Sequence, residues 1–296
     1  MDWQFFLEVL VGGLLAGVMY SLVALGFVLI YKATDAINFA QGEMVMIAGF
    51  ILAATLKVAG SSLLVAILVA LAVMVLFGFA VERVMLRPLL GRPIIAMIMA
   101  TIGLASVLKG LGPMFWGAET KNLPLPIRED PIVLFGIPIT PVSLVAAAVS
   151  LIFLAGFGVF FLKSRIGIAM RAVADDQPAA MAMGINVGRY FGLAWALAGV
   201  VSAVGGVIWG NLLGVDVHLA LVGFKVFPVI ILGGIESIPG AVVGGLIVGV
   251  VESVSAGFID PYVGGGTKDF VPYLLMIVAL MIRPHGIFGE HIIERV

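Results

Sequence analysis

Residues 37–44 read INFAQGEM and place Asn38, Gln41, Gly42 and Glu43 between two long apolar runs. Asn and Gln side chains carry both donors and acceptors, so they can satisfy backbone groups that a chain break sets free. Gly42 permits the turn, and Glu43 suits the positive end of a helix that starts there. Two readings stand open. In one, the stretch is a capped loop at the membrane edge. In the other, its polar groups line a water-filled path through the membrane, with Glu43 as the charge within it. Glu252 is the other isolated carboxylate in apolar surroundings. At mid-membrane depth such a group faces a cavity or a partner, whereas nearer the outer interface it is simply hydrated. Asn38, Gln41, Gly42, Glu43 and Glu252 are thus the candidate path residues.

The stretch at 164–190, SRIGIAMRAVADDQPAAMAMGINVGRY, has a different character. Its small residues include Ala179 and Ala180, with Arg171, Asp175 and Asp176 before them and Pro178 suited to a first helical turn. A short helix beginning near Pro178 and ended by Gly184 fits the capping rules. The segment serves as a connector or as a docking element, and its length and mixture of small, apolar and charged residues favour docking. Glycines recur at four-residue spacing at Gly206, Gly210 and Gly214, at Gly240 and Gly244, and at Gly245 and Gly249. That spacing lays a smooth groove along one helix face and favours close helix packing.

Other chemistries are not visible. There is no hydrolase, kinase or metal constellation, and no catalytic residue is assigned. His218, His285 and His291 are scattered near predicted segment ends. GGGTKD at 264–269 lacks the spacing of a nucleotide-binding loop. With no cysteine in the chain, disulfides and thiolate chemistry are excluded. A net charge of -1 gives no electrostatic case for nucleic acid.

These residues must be positioned by elements built for lipid. Hydrophobic residues make up 62% of the chain and charged ones only 11%, against about 25% charged in soluble domains. The chain reads as an all-α, polytopic integral membrane protein, a bundle of about eight or nine transmembrane segments forming one domain over 1–296. Long runs fall at 5–30, 63–81, 142–162 and 191–213, and shorter ones at 44–56, 94–108, 220–232, 241–251 and 270–282. The N-terminus lacks the basic region of a signal peptide, so its apolar run is expected to stay as the first span. Arg83, Arg87 and Arg92 mark one cytoplasmic loop, and Lys163, Arg165, Arg171 and Arg189 another. The proline-containing stretch at 112–138, with Glu119 and Glu129, then lies outside. The same frame puts the N-terminus outside and the C-terminus in the cytoplasm.

Four stretches in order, YKATDAINFAQGEM at 31–44, RAVADD with AAMAMGIN at 171–186, GGIESIPGAVVGG at 233–245 and IRPHGIFG at 282–289, give the chain a family likeness. It resembles the inner-membrane permease subunits of bacterial branched-chain amino acid ABC importers, and is closer to the smaller of that system's two permeases. The resemblance implies transport of leucine, isoleucine or valine. It also implies a second permease subunit, two cytoplasmic ATPases that hold ATP and Mg, and a periplasmic substrate-binding protein, with no cofactor in this chain. Pro178, Ala179, Ala180 and Gly184 then match part of the loop that such importers offer to their ATPases, with Pro178 in place of the usual glutamate. Residues 164–190, including Arg171, Asp175 and Asp176, become the ATPase-coupling loop. Related permeases carry urea or short-chain amides, which is the near alternative. An ion-coupled secondary transporter using Glu43 and Glu252 is the remote one.

Overall fold

The computed structural model describes residues 3–289 except 59–61, 90, 129 and 135; Glu129 and His291 lie outside the described residues. In lipid, a spanning segment must satisfy its own backbone N–H and C=O groups, which an α-helix does internally. The described chain is accordingly built from helices: α1 (Trp3–Thr34), α2 (Gln41–Val58), α3 (Leu63–Val81), α4 (Ile94–Trp116), α5 (Pro141–Lys163), α6 (Arg165–Asp175), α7 (Gln177–Ala182), α8 (Val187–Leu213), α9 (Leu221–Lys225), α10 (Phe227–Gly233), α11 (Ile238–Phe258), α12 (Asp260–Val263) and α13 (Thr267–Ile282). The loop expected at 112–138 contains a strand, β1 (Ile132–Leu134), which pairs antiparallel with β2 (Ile137–Ile139).

Among the described residues, seven helices are long and apolar enough to cross a membrane: α1, α2, α3 with its continuation to Leu89, α4, α5, α8 and α11. The chain is a nearly all-helical polytopic membrane protein. The expected run at 220–232 is not one continuous span. It divides into a 3-10 turn (Val217–Ala220), α9 and α10, with the break at Val226 between Lys225 and Phe227. Pro228, in the first turn of α10, has no N–H with which to continue a helix through that point. The last run is α13, only 16 residues long.

The chain divides into two compact units. One comprises residues 25–125 and 155–224. Its core is α2, α3 and α8, with Phe27, Met44, Phe50, Met74 and Trp195 among its fully buried side chains. Glycine sets the spacing of these helices. A Cβ on Gly78 would stand 2.3 Å from Trp195 O, one on Gly199 2.2 Å from Met74 O, and one on Gly206 2.9 Å from Val45 O. Gly210 faces Val215 and Leu123 at similar range, and Gly214 ends α8 at φ 81°.

The second unit comprises residues 3–24, 126–154 and 225–289 of the described chain. Here α11 packs against α10 and the first part of α1. A Cβ on Gly240 would come within 2.2 Å of Gly233 O and one on Gly244 within 2.3 Å of Val229 O. On the other side of α11, Gly245 and Gly249 meet Gly17 and Gly13, with a Cβ on Gly17 only 2.6 Å from Gly245 O. Both glycine pairs of α11, Gly240 with Gly244 and Gly245 with Gly249, therefore lie at helix contacts inside this unit.

Candidate translocation and coupling sites

The polar stretch after α1 turns back along the helix it has just left. α2 starts at Gln41, three residues before the apolar run that suggested Met44, because Gln41, Gly42 and Glu43 form its first turn. A Cβ on Gly26 would lie 2.2 Å from Gln41 Nε2. Gly26 is eight residues before the end of α1, about 12 Å along its axis. Asn38 and Gln41 are fully buried and Glu43 is 4% exposed. These groups sit inside the first unit, where irregular backbone is tolerated because protein surrounds it.

Polar groups of this turn find partners of the right kind. Asn38 Oδ1 accepts from Ala40 N at 3.0 Å, and Asn38 Nδ2 donates to Gln41 Oε1 at 3.2 Å. Gln41 Nε2 donates to Ser202 Oγ on α8 at 3.1 Å. Phe39 N donates to Thr101 Oγ1 on α4 at 3.2 Å. Thr101 and Ser202 have no signature in sequence, since a helical hydroxyl ordinarily bonds the carbonyl a turn earlier. Gly42 permits more than a turn: a Cβ there would stand 2.2 Å from Ala220 O, and one on Gly223 2.6 Å from Gly42 Cα. Two interrupted helical segments thus meet backbone to backbone. Discontinuous helices of this kind build the substrate sites of many transporters.

Glu252 belongs to the other unit and is nearly buried. It is 3% exposed on α11, with Lys225 Nζ at 3.3 Å and Lys268 Nζ at 3.8 Å. Tyr20 also hydrogen-bonds its carboxylate. Lys225 in turn reaches Asp269 at 3.1 Å. The carboxylate faces partners, as a charge in a spanning helix must, and Lys225 is the partner that sequence reading passed over. It stands inside an apolar run at the point where that run breaks.

The 164–190 stretch forms two helices rather than one. Ser164 caps α6 by accepting from Gly167 N at 2.9 Å, Asp176 caps α7 by accepting from Ala179 N at 2.9 Å, and Asn186 caps α8 by accepting from Arg189 N at 3.1 Å. At the end of α7, Gly184 takes φ 81° while Ile185 N bonds Ala180 O and Gly184 N bonds Met181 O. That pairing is the Schellman motif, which needs a left-handed residue at its centre. Besides the capping Asp176, two more expected docking residues are otherwise engaged. Arg171 donates to the carbonyls of Phe161 and Leu162, capping the end of α5, and Ala180 is buried. Ala179, Pro178 and Asp175 are exposed, together with Met181 and Met183. The free face of α7 is therefore more apolar than the small residues alone suggest.

An ion pair with a buried carboxylate joins this region to α3. Beyond Val81 the chain winds as a π-helix from Glu82 to Leu86, and Arg87 N bonds Glu82 O five residues back. That winding stacks residue i over i+5, so Arg87 forks onto Glu82 with Nε 3.0 Å from Oε1 and Nη2 2.9 Å from Oε2. Arg87 Nη2 also donates to Gly188 O at the start of α8 at 3.2 Å. Glu82 is 2% exposed. The basic-loop reading of Arg87 missed this pair, because five-residue spacing does not bring side chains together on an α-helix.

A family model described as branched-chain amino acid transport system, permease component, matches residues 9–280. The high-affinity branched-chain amino acid transport system permease protein LivH of Salmonella typhimurium is 33% identical, over 100% of this chain and 99% of its own length. The permease protein BraD of Pseudomonas aeruginosa, of the same description, is also 33% identical, over 98% of each chain. The probable branched-chain amino acid transport permease protein LivH of Methanocaldococcus jannaschii is 28% identical, over 95% of this chain and 92% of its own. With the buried turn at 37–43 and the capped α6–α7 segment both inside the matched stretch, the chain belongs to the family of branched-chain amino acid transport system permease components.

Proposed function

We propose that this chain is one membrane subunit of an ATP-binding cassette importer that moves leucine, isoleucine or valine across the bacterial inner membrane. The end-to-end similarity to permeases named for that transport carries the reading. The chain works beside a second permease and receives its substrate from a periplasmic binding protein. Two cytoplasmic ATPases hold ATP and Mg and perform the hydrolysis. Force enters through α7, whose exposed Ala179, Met181 and Met183 offer a short apolar ridge to a groove on the ATPase. The substrate passes the meeting of interrupted helices at Gly42 and Gly223, with Glu43 near the route of its ammonium group. Glu252, paired with Lys225 at 3.3 Å, is not free to carry a coupling ion.

Ala179→Trp tests the coupling. Ala179 is exposed, so the new ring meets a partner rather than this chain, whereas a bulky residue at Gly184 would also strain the left-handed backbone. The variant should insert normally in the membrane, co-purify with little ATPase and lose nearly all uptake of labelled leucine. Wild-type uptake with a full complement of ATPase would refute the coupling role of α7.

A further inference from the structure

Three glycines lie close together on α1, and only two of them meet a neighbouring helix. Gly13 and Gly17 abut the backbone of α11, but a Cβ on Gly12 would find nothing within 4 Å. Gly12 opens onto a cleft of about 510 Å³ inside the unit that holds the start of α1. Phe5, Val9, Gly12, Leu15 and Met19 line it at three- and four-residue steps, so it follows one face of α1. The fourteen steps of helix from Phe5 to Met19 make it about 21 Å long. The opposite wall comes from the end of α11 and the start of α5.

Two charged groups, Glu8 and Lys268, line the cleft, with the hydroxyls of Thr140, Ser143 and Ser253. Glu8 lines it and, among the described residues, has neither an ion pair nor a hydrogen bond. Lys268 lines it too, more than half exposed, its contact with Glu252 a long 3.8 Å. The rings of Phe5 and Phe258 touch at 5.4 Å, which sets the end of α11 beside the start of α1, and α13 begins nine residues later. Trp3, 69% exposed, marks the same end as lying at the level of lipid headgroups.

Size decides what fits. Spread along about 21 Å, the 510 Å³ leaves a mean cross-section of about 24 Å². A helix about 10–12 Å across needs roughly 80–110 Å², so a helix of another subunit does not enter. A free amino acid would fill only a fraction of the length. An extended hydrocarbon chain matches both dimensions, and the cleft spans one leaflet's share of the hydrocarbon, about 15 Å, plus its interface.

We propose that this cleft is a phospholipid site: one acyl chain lies along α1 from Met19 to Phe5, Lys268 meets the phosphate, and Glu8 meets a primary ammonium group on the headgroup. An ethanolamine headgroup supplies both charges and N–H donors for the Glu8 carboxylate. Choline has no N–H to donate, and a headgroup of net negative charge would sit against Glu8.

The test uses the purified assembly in nanodiscs of equimolar phosphatidylethanolamine and phosphatidylcholine with matched chains, re-extracted in mild detergent for native mass spectrometry. Wild type should retain close to one phosphatidylethanolamine per chain, several-fold over phosphatidylcholine. Gly12→Leu, which grows into open space, should lower retained lipid at least fivefold without lowering the melting temperature. Glu8→Gln should keep a lipid but lose the preference between headgroups. Equal lipid in wild type and Gly12→Leu would overturn the proposal. So would a photoreactive residue at position 12 that captures protein instead of lipid.

Discussion

Gln41 shows how a polar side chain survives where no water reaches. Its amide accepts from Asn38 and donates to Ser202, and Gly26 leaves room for it against α1. Removing the Ser202 hydroxyl strands the Gln41 N–H, and an unsatisfied buried donor costs about 1–3 kcal/mol. Ser202→Ala should therefore lower the melting temperature of the purified protein by several degrees, although the change in volume is small. An unchanged melting temperature would mean that Gln41 finds another acceptor. Glu43 poses a separate question, because the carboxylate is nearly buried in the first turn of α2 and bonds its own backbone N–H. Glu43→Gln keeps size and removes charge. It should slow uptake about tenfold while the assembly co-purifies intact, and full uptake would confine the carboxylate to helix capping. The cluster itself was legible in sequence, since polar residues stand out against hydrocarbon. Its partners were not, because Thr101 and Ser202 lie 62 and 161 positions away and look like ordinary helical hydroxyls.

At the scale of elements, glycine spacing predicted close packing but not which helices pack. On α1, Gly12, Gly13 and Gly17 are indistinguishable by composition, yet only the last two face the α11 backbone. Gly17→Val would drive a side chain into Gly245 O and Leu246 Cα, which stand 2.6 and 2.8 Å from a Cβ at that position. Overpacking of this kind costs about 1–3 kcal/mol. The variant should melt well below wild type, or fail to accumulate, whereas Gly12→Ala should match wild type in both respects. Equal behaviour of the two variants would show that the α1–α11 contact is not what holds these helices. The end of α3 offers a second case. Arginines at 83, 87 and 92 read as a topogenic cluster, but Arg87 is also the partner of a buried carboxylate. Arg87→Gln leaves Glu82 buried and unpaired. Because Arg87 is 38% exposed, water offsets part of that loss, and about 1–3 kcal/mol remains. Adding Glu82→Gln should restore most of the stability, a recovery that the loss of a merely superficial charge would not show.

For the molecule as a whole, the question is which ends of the helices face the cytoplasm, and contacts within the unit of residues 25–125 and 155–224 bear on it. Arg87 bonds Gly188, joining the turn after α3 to the start of α8. At the other end of the same helices, Lys121 and Val215 exchange two backbone bonds of 3.0 and 2.9 Å, joining the turn after α4 to the turn after α8. The first end carries Arg83, Arg87, Arg92, Lys163, Arg165, Arg171 and Arg189, whereas the loop at 117–125 carries only Lys121. Lys and Arg in short loops are retained on the cytoplasmic side, so the Arg87 end should face inward and the N-terminus outward. The two basic loops were separately visible in sequence. That they lie at one end was read from their charge, and only the total count of spans was affected by the break of the run at 220–232 at Val226. Pairing of the loops does not depend on that count. With no native cysteine, single replacements at two exposed sites test the orientation cleanly. Glu119→Cys should react with an impermeant maleimide in intact spheroplasts. Asp175→Cys should stay protected there and react once the membrane is inverted or opened. The opposite pattern would reverse the orientation and place α7 on the side away from ATP, where it could not receive the force of an ATPase.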